Sequence, residues 1–166
     1  MEKIKKVEAK TKKEFYINLN NILKGMIENE PDWLANLSNS AALLGMMLSE
    51  INWSGYYLYK NDELVLGPFV GKPACTHIEI GDGVCGTAAS KKETLVVKNV
   101  LEFPGHIACD EASRSEIVVP IVKDGELKGV LDIDSPIFER FNEEDAAGLE
   151  QFVKLLEEHI NWTAIG

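Results

Sequence analysis

Long hydrophobic runs and an excess of basic residues are both missing from this sequence of 166 residues. The longest apolar stretch, residues 41–48, is far shorter than the roughly 20 residues that a helix needs to cross a bilayer. Acidic residues outnumber basic ones by 27 to 17, and the net charge of −10 argues against nucleic-acid and anionic-membrane partners. No apolar segment typical of a secretory signal follows the Lys-rich start at residues 1–13, so we expect a cytoplasmic protein.

Cysteine is also scarce, and the three cysteines cannot form a fully paired structural framework. In a reducing compartment they would be thiols at rest. The sequence has no CxxC or HxxxH pair, the short spacings from which structural zinc sites usually draw their ligands. We therefore predict no metal site. A zinc set drawn from Cys75, Cys85, Cys109, His77 and His106 remains an alternative.

The periodicity of the apolar residues predicts a mixed domain. Apolar residues recur every three or four positions over residues 11–27 and 33–51, which predicts two helices. Asn142 is expected to cap a closing helix that runs to about Trp162. Between the second helix and the closing helix, apolar and polar residues alternate, apart from a short predicted helix, which predicts strands. These strands are expected at residues 53–59, 63–69, 76–80, 94–97, 116–122 and 128–134. The alternation favours a mainly antiparallel sheet with helices on one face, in one α/β (α+β) domain.

The segment GDGVCG at residues 81–86 matches the dinucleotide-binding pattern G-x-G-x-x-G. The preceding strand is half polar, whereas the first strand of a dinucleotide-binding unit is buried on both faces. The predicted helix after it is short, and no second strand–helix–strand unit follows. We interpret these glycines as turn and close-packing residues.

Acidic side chains converge in the second predicted hairpin. Asp132 and Asp134 alternate with apolar residues, so both carboxylates point to one face of the strand. Such a face is usually solvated, but two aspartates in mid-strand are unusual because aspartate has a low strand propensity. With Glu116 opposite them, three like charges would raise at least one pKa and create a proton donor or a cation site.

Aromatic residues and a loop cysteine complete the candidate site. Trp53 and Tyr57 are four apart on one strand and share a face, either in the core or as walls of a pocket. Such walls beside converging acids suit a ligand with an ammonium group and a thioether or apolar tail. Cys109 follows a Pro-Gly turn, and by itself it fits a buried apolar residue as well as a reactive thiol.

Together these segments resemble the GAF-domain free methionine-(R)-sulfoxide reductases. The resemblance extends from about Leu34 to the last helix. Ordinary GAF sensor domains share the fold but lack the three spaced cysteines. The segments that carry it are NWSGYYL (52–58), LGPFVGKPAC (66–75), IGDGVCG (80–86), FPGHIACD (103–110), SRSEIVVP (113–120) and GVLDIDS (129–135).

The resemblance implies a fold and a reaction. The expected fold is a single GAF-like domain over residues 1–166, with 1–30 as an N-terminal helix, 31–166 as the body, and cysteine-bearing loops on the sheet face opposite the helices. The expected reaction is the thiol-dependent reduction of free methionine (R)-sulfoxide, a product of oxidative stress, to methionine. Cys109 is implied as the nucleophile that becomes a sulfenic acid, Cys75 as the thiol that resolves it to a disulfide, and Cys85 as a further member of the relay.

The resemblance also assigns the remaining site residues and the partners. Glu116, Asp132 and Asp134 would hold the substrate ammonium and assist protonation of the sulfoxide oxygen, while Trp53 and Tyr57 would surround the methylsulfinyl end. No bound cofactor is implied, because thioredoxin, supplied by NADPH through thioredoxin reductase, would reduce the disulfide. A homodimer is also expected. The alternative is a non-catalytic GAF-type sensor of a small ligand. The resemblance does not say whether Cys75 or Cys85 resolves the sulfenic acid first, nor which of the three acids donates the proton.

Overall fold

The computed structural model describes residues 3–106 and 109–166, so parts of the Lys-rich start and of the FPGHIACD motif lie outside the described residues. It contains four α-helices and six strands in the described ranges. In chain order these are α1 (Lys12–Ile27), α2 (Trp33–Met47), β1 (Trp53–Lys60), β2 (Glu63–Gly71), β3 (His77–Glu79), α3 (Gly83–Lys91), β4 (Leu95–Val97), β5 (Ser115–Lys123), β6 (Glu126–Ser135) and α4 (Glu143–His159).

The strands form one antiparallel sheet in the order β3-β2-β1-β6-β5-β4, which confirms the predicted α+β architecture. The structure differs from the prediction at two helix ends. Helix α2 ends at Met47 rather than Ile51, because Leu48 is already extended and the chain turns toward β1. Helix α4 ends at His159, since Ile160 is extended and a separate 3₁₀ turn follows at Trp162–Ala164.

The two faces of the sheet carry different partners, because successive strand residues point to opposite sides. On one face Tyr56, Ile117 and Leu131 pack against the long helices α1, α2 and α4. On the other face Tyr57, Val118 and Val130 pack against α3 and the loop that contains Cys75. The structure thus has the predicted arrangement, with the N- and C-terminal helices on one face of the sheet and the cysteine-bearing loops on the other.

Helix α1 is held to α4 by a buried ion-pair cluster. Asp145 contacts Lys12 at 2.8 Å and Arg140 at 3.5 Å, and the hydroxyl group of Tyr16 donates a hydrogen bond of 2.7 Å to it. The same carboxylate accepts the backbone N–H of Asn142, which caps α4 as predicted. Among the described residues, no helix combines the length and apolar character that crossing a membrane requires. The single-domain assignment of residues 1–166 stays a prediction.

Candidate active site

The strand register brings the predicted acids and one of the aromatic residues together. Trp53 on β1 pairs with Asp134 on β6, and Asp134 pairs in turn with Glu116 on β5. Asp132 lies two residues further along β6, opposite Gly55 on β1. All of these residues face the side of the sheet that carries α3. The convergence predicted from alternation is therefore present across three adjacent strands.

Burial changes the protonation of the three acids. Glu116 and Asp132 are only 5% and 6% exposed. Burial raises the pKa of all three carboxyl groups, and the charge of Asp132 raises the pKa of Glu116 and Asp134 further. Such groups keep protons that a solvated acid would lose, because a buried charge without a partner is costly. The site can therefore donate a proton, or it can ionise when a cation enters.

Cys85 lies at the start of α3, in direct contact with these acids. Its Sγ atom is 3.8 Å from Oε1 of Glu116, and the side chain is buried. Burial, together with the charge of Asp132, raises the pKa of the thiol well above its usual value. A thiol that stays protonated is a weak nucleophile. The relay role that the resemblance implied for Cys85 stays a prediction.

A disulfide joins the other two cysteines, Cys75 and Cys109, with their Cα atoms 5.9 Å apart. It bridges two loops, one after β2 and one before β5, across a sequence separation of 34 residues. The separation of the Cα atoms lies inside the usual disulfide range of about 4.4–6.8 Å. These are the two cysteines to which the resemblance assigns the nucleophilic and resolving roles.

Aromatic side chains support the loop that contains Cys75. The ring of Trp53 stacks with both Tyr57 and Phe69, at centroid distances of 5.9 and 5.2 Å. The indole N–H of Trp53 donates to the carbonyl of Lys72, and the hydroxyl group of Tyr57 donates to the carbonyl of Cys75 at 3.0 Å. Burial raises the pKa of Tyr57, so this hydroxyl group stays neutral and can donate. The two aromatics thus wall the site and hold its cysteine loop.

A second set of contacts, which sequence reasoning missed, holds the loop of Cys109. The carboxylate of Asp110 accepts hydrogen bonds of 2.9 Å from the side-chain amide of Asn52 and from the backbone N–H of Ala112, and it lies 3.7 Å from Lys72. Hydrogen bonds from Ala112 and Asn52 lower the pKa of Asp110. The position of Asp110 directly after the candidate nucleophile Cys109 could have indicated a role for this acid. Nothing in the sequence indicated that its partner is Asn52, 58 positions away.

Seven of the eight predicted site residues line one small cavity, and Cys75 lies in the disulfide beside it. The cavity offers about 40 Å³ to the centres of water molecules, which is room for a few waters. His106 also faces it, with Nε2 at 3.9 Å from Oε2 of Glu116. Burial lowers the pKa of His106, which favours the neutral imidazole. Polar lining residues that the sequence did not indicate are Lys72, Asp82, Asp110 and Ser113.

The zinc set considered from sequence is not assembled among the described residues. Cys75 and Cys109 are paired with each other, and His77 contacts Glu63 at 2.8 Å on the exposed β2–β3 edge. A different group of possible ligands, Cys85 with two of the acids, lies at the cavity floor. The sequence indicated a proton donor or a cation site at the acids, but not that Cys85 joins them, because Cys85 and Glu116 are 31 positions apart.

Comparison with known proteins identifies the family. The GAF domain model matches residues 34–160. The chain is 51% identical over 146 residues to the free methionine-R-sulfoxide reductase of Escherichia coli, covering 88% of each chain. It is 46% identical over 141 residues to that of Saccharomyces cerevisiae, covering 80% of this chain and 78% of the relative.

The structural comparison agrees. The free methionine-R-sulfoxide reductase of Neisseria meningitidis, solved in complex with its substrate, superposes with a TM-score of 0.93 at 42% identity and 99% coverage of each chain. The match covers the strands, α3 and the cysteine loops that form the cavity. The chain belongs to the GAF-domain family of free methionine-(R)-sulfoxide reductases.

Proposed function

We propose that this protein reduces free methionine (R)-sulfoxide to methionine, with Cys109 as the nucleophile and Cys75 as the resolving thiol. One observation carries the proposal: the Cys75–Cys109 disulfide lies beside a cavity whose floor holds three carboxyl groups with raised pKa values. A thiol pair supplies the two electrons for the reduction. Protonated acids supply the proton that a sulfoxide oxygen needs in order to leave.

The acids also account for recognition of a free amino acid. Asp132 is 6% exposed, and its Oδ1 atom accepts no hydrogen bond from any described residue. An α-ammonium group has three donors and a positive charge, and it would satisfy this oxygen together with Glu116 and Asp134. A methionine sulfoxide within a peptide has an uncharged amide there, which would leave the buried acids without a partner.

The reaction proceeds in two redox steps. The Cys109 thiolate attacks the sulfoxide sulfur while an acid protonates the sulfoxide oxygen, which forms a bond between the two sulfur atoms. The hydroxyl group then moves from the substrate sulfur to the Cys109 sulfur as the sulfur–sulfur bond breaks, which leaves a Cys109 sulfenic acid and releases methionine. The Cys75 thiolate then attacks the Cys109 sulfur, the S–O bond breaks, and water leaves as the disulfide forms. Cys109 lines the same cavity as the acids, while the hydroxyl group of Tyr57 donates a hydrogen bond to the carbonyl of Cys75 and holds that loop.

We also propose the partners that the turnover needs. A thioredoxin dithiol would reduce the disulfide by exchange, with electrons from NADPH through thioredoxin reductase and no cofactor bound to this chain. Cys75 and Cys109 are both partly exposed, which an exchange partner requires. A thioredoxin system and a reducing environment point to the cytoplasm, and gel filtration would test the homodimer expected from the resemblance.

The proposal is tested by coupling the protein to thioredoxin, thioredoxin reductase and NADPH. Free methionine (R)-sulfoxide should be consumed, whereas its (S) epimer and N-acetylmethionine (R)-sulfoxide should react at least 100-fold more slowly. Cys109→Ser should abolish turnover, and the exposed variant His77→Ala should not change it. Equal rates on the free and N-acetylated substrates would contradict the ammonium assignment. Binding without turnover by the wild type would favour the GAF-type sensor instead.

A further inference from the structure

A cluster of metal-ligating atoms forms the floor of the cavity. Ligand atoms of Cys85, Glu116 and Asp132 all lie within 4.8 Å of one another, and all three residues are buried. They lie on three different elements, α3, β5 and β6, which the fold packs against one another. We propose that this floor binds a thiophilic divalent cation, Zn²⁺, which takes the place of the substrate ammonium and inhibits the enzyme. The inhibition, but not the metal binding, rests on the proposed function.

An unsatisfied buried oxygen points independently to a missing cation. Asp132 lines the cavity, and its buried Oδ1 atom has no hydrogen-bond donor among the described residues. Buried carboxylate oxygens are almost always hydrogen-bonded or bound to a cation, because an unpaired one is costly. A cation at the floor would satisfy this oxygen and offset the charges of both acids.

The three ligand atoms would have to move closer together to bind a zinc ion. Zinc ligands about 2.0–2.3 Å from the metal at tetrahedral angles are about 3.3–3.7 Å from one another. Sγ of Cys85 is already 3.8 Å from Oε1 of Glu116, and the three ligand atoms all lie within 4.8 Å of one another, so the widest pair would have to close by at most about 1.5 Å. Nε2 of His106 lies 3.9 Å from Oε2 of Glu116 but outside this three-residue group, so the fourth position is left to a water molecule.

The donor set selects the type of cation. A thiolate and two carboxylates are among the ligands that zinc takes in proteins, whereas Mg²⁺ and Ca²⁺ require shells of oxygen atoms. Binding would displace the proton of the Cys85 thiol and those of the acids, so affinity should increase with pH.

The cavity of the oxidised protein is large enough to bind a zinc ion. About 40 Å³ is available, and one water molecule needs about 10–15 Å³ in the same measure, so an ion with a bound water fits. Cys75 and Cys109 are consumed in the disulfide, which leaves Cys85 as the free thiol of the described chain. The ion would contact the same two carboxylates as the substrate ammonium, and the two should therefore compete.

Cobalt is the probe for this site, because Co²⁺ bound to a thiolate gives a sulfur-to-metal charge-transfer absorption in the near ultraviolet. Oxidised wild-type protein should bind one equivalent of Co²⁺ with this band, and Zn²⁺ should remove it. Cys85→Ser should abolish the band, and Asp132→Asn or Glu116→Gln should weaken binding at least 10-fold. His77→Ala, at the exposed His77–Glu63 pair, is the matched control and should change nothing.

Competition is tested in C75S/C109S, which cannot turn over and keeps Cys85 as its one thiol. Free methionine (R)-sulfoxide should raise the apparent Kd of Co²⁺ in this variant at least 10-fold at saturation. The proposal is overturned if the wild type shows no band, if the band survives Cys85→Ser, or if substrate does not displace the metal. Turnover measured without added metal separates these outcomes from a failure of the proposed function.

Discussion

The carboxylate of Asp110, the residue directly after Cys109, accepts a hydrogen bond of 2.9 Å from the side-chain amide of Asn52. The same amide nitrogen reaches Oγ of Ser113 at 3.1 Å, and Lys72 in the loop of Cys75 lies 3.7 Å from Asp110. These contacts tie the loop of Cys109 to the start of β1 and to the loop of the second cysteine. They do not depend on the disulfide, so they would keep the two thiols close after reduction.

Asn52→Ala should slow disulfide formation, because the loop of Cys109 would lose its anchor to β1. We expect the sulfenic acid to resolve about 10-fold more slowly. The free energy of unfolding should fall by about 1–3 kcal/mol, because the charged carboxylate of Asp110 loses one hydrogen bond while it keeps those to Ala112 and Lys72. Rapid-quench trapping of the sulfenic acid measures the first effect. Asn20→Ala is the control, since Asn20 donates to the carbonyl of Gly148 far from the site. Equal resolution rates in both variants would contradict the anchoring role.

Tyr57→Phe should increase KM and slow resolution, because it removes the hydrogen bond to the carbonyl of Cys75. The free energy of unfolding should fall by about 0.5–1.5 kcal/mol. Tyr56→Phe is a matched control: its hydroxyl group contacts Ser40 at 2.7 Å on the helix-bearing face. That variant should lose similar stability while its KM stays unchanged. Steady-state kinetics and denaturant unfolding of the two variants provide the comparison, and parallel changes in KM would count against a positioning role for Tyr57.

Glu116→Gln should stabilise the protein at high pH while it abolishes activity. The folded-state pKa of Glu116 is raised above its ordinary value of 4.5, so the folded chain binds a proton that the unfolded chain has released. The wild type should therefore lose stability as pH rises from about 4.5 toward the folded pKa, and the neutral amide removes this loss. Thermal unfolding at pH 5 and pH 8 should show the variant's advantage at pH 8 alone. An exposed control, Glu126→Gln, should show no such difference.

Asp145→Asn should destabilise the fold, with the opposite dependence on pH. Hydrogen bonds from Lys12, the Asn142 backbone and Tyr16 outweigh burial and lower the pKa of Asp145 below its ordinary value of 3.8. Its contribution is thus present above the unfolded pKa and is lost as pH falls through the folded one. We expect the free energy of unfolding to drop by about 3 kcal/mol at pH 7. Glu144→Gln, an exposed acid on the same turn, is the control for urea unfolding, and an equal drop there would rule out the cluster as the cause.

Local periodicity was sufficient for part of the site. Alternation along β6 placed Asp132 and Asp134 on one face, and the predicted hairpin brought the strand of Glu116 beside them. Strand spacing likewise put Trp53 and Tyr57 on one side of β1. The pairs within one strand depend only on the two-residue repeat of a strand, whereas the face of Glu116 depends on the bulge at Ile121/Val122, which shifts the hairpin register by one residue.

The sequence by itself therefore determined the strands, the helices, the shared face of Asp132 and Asp134 and, through its motifs, the family. Only the tertiary structure decided that Cys75 lies against Cys109, that Asn52 holds Asp110, and that Cys85 meets Glu116. These partners are 34, 58 and 31 positions apart. Their contacts depend on how α3 and two irregular loops pack on the sheet. The periodicity of neighbouring residues cannot predict such long-range packing.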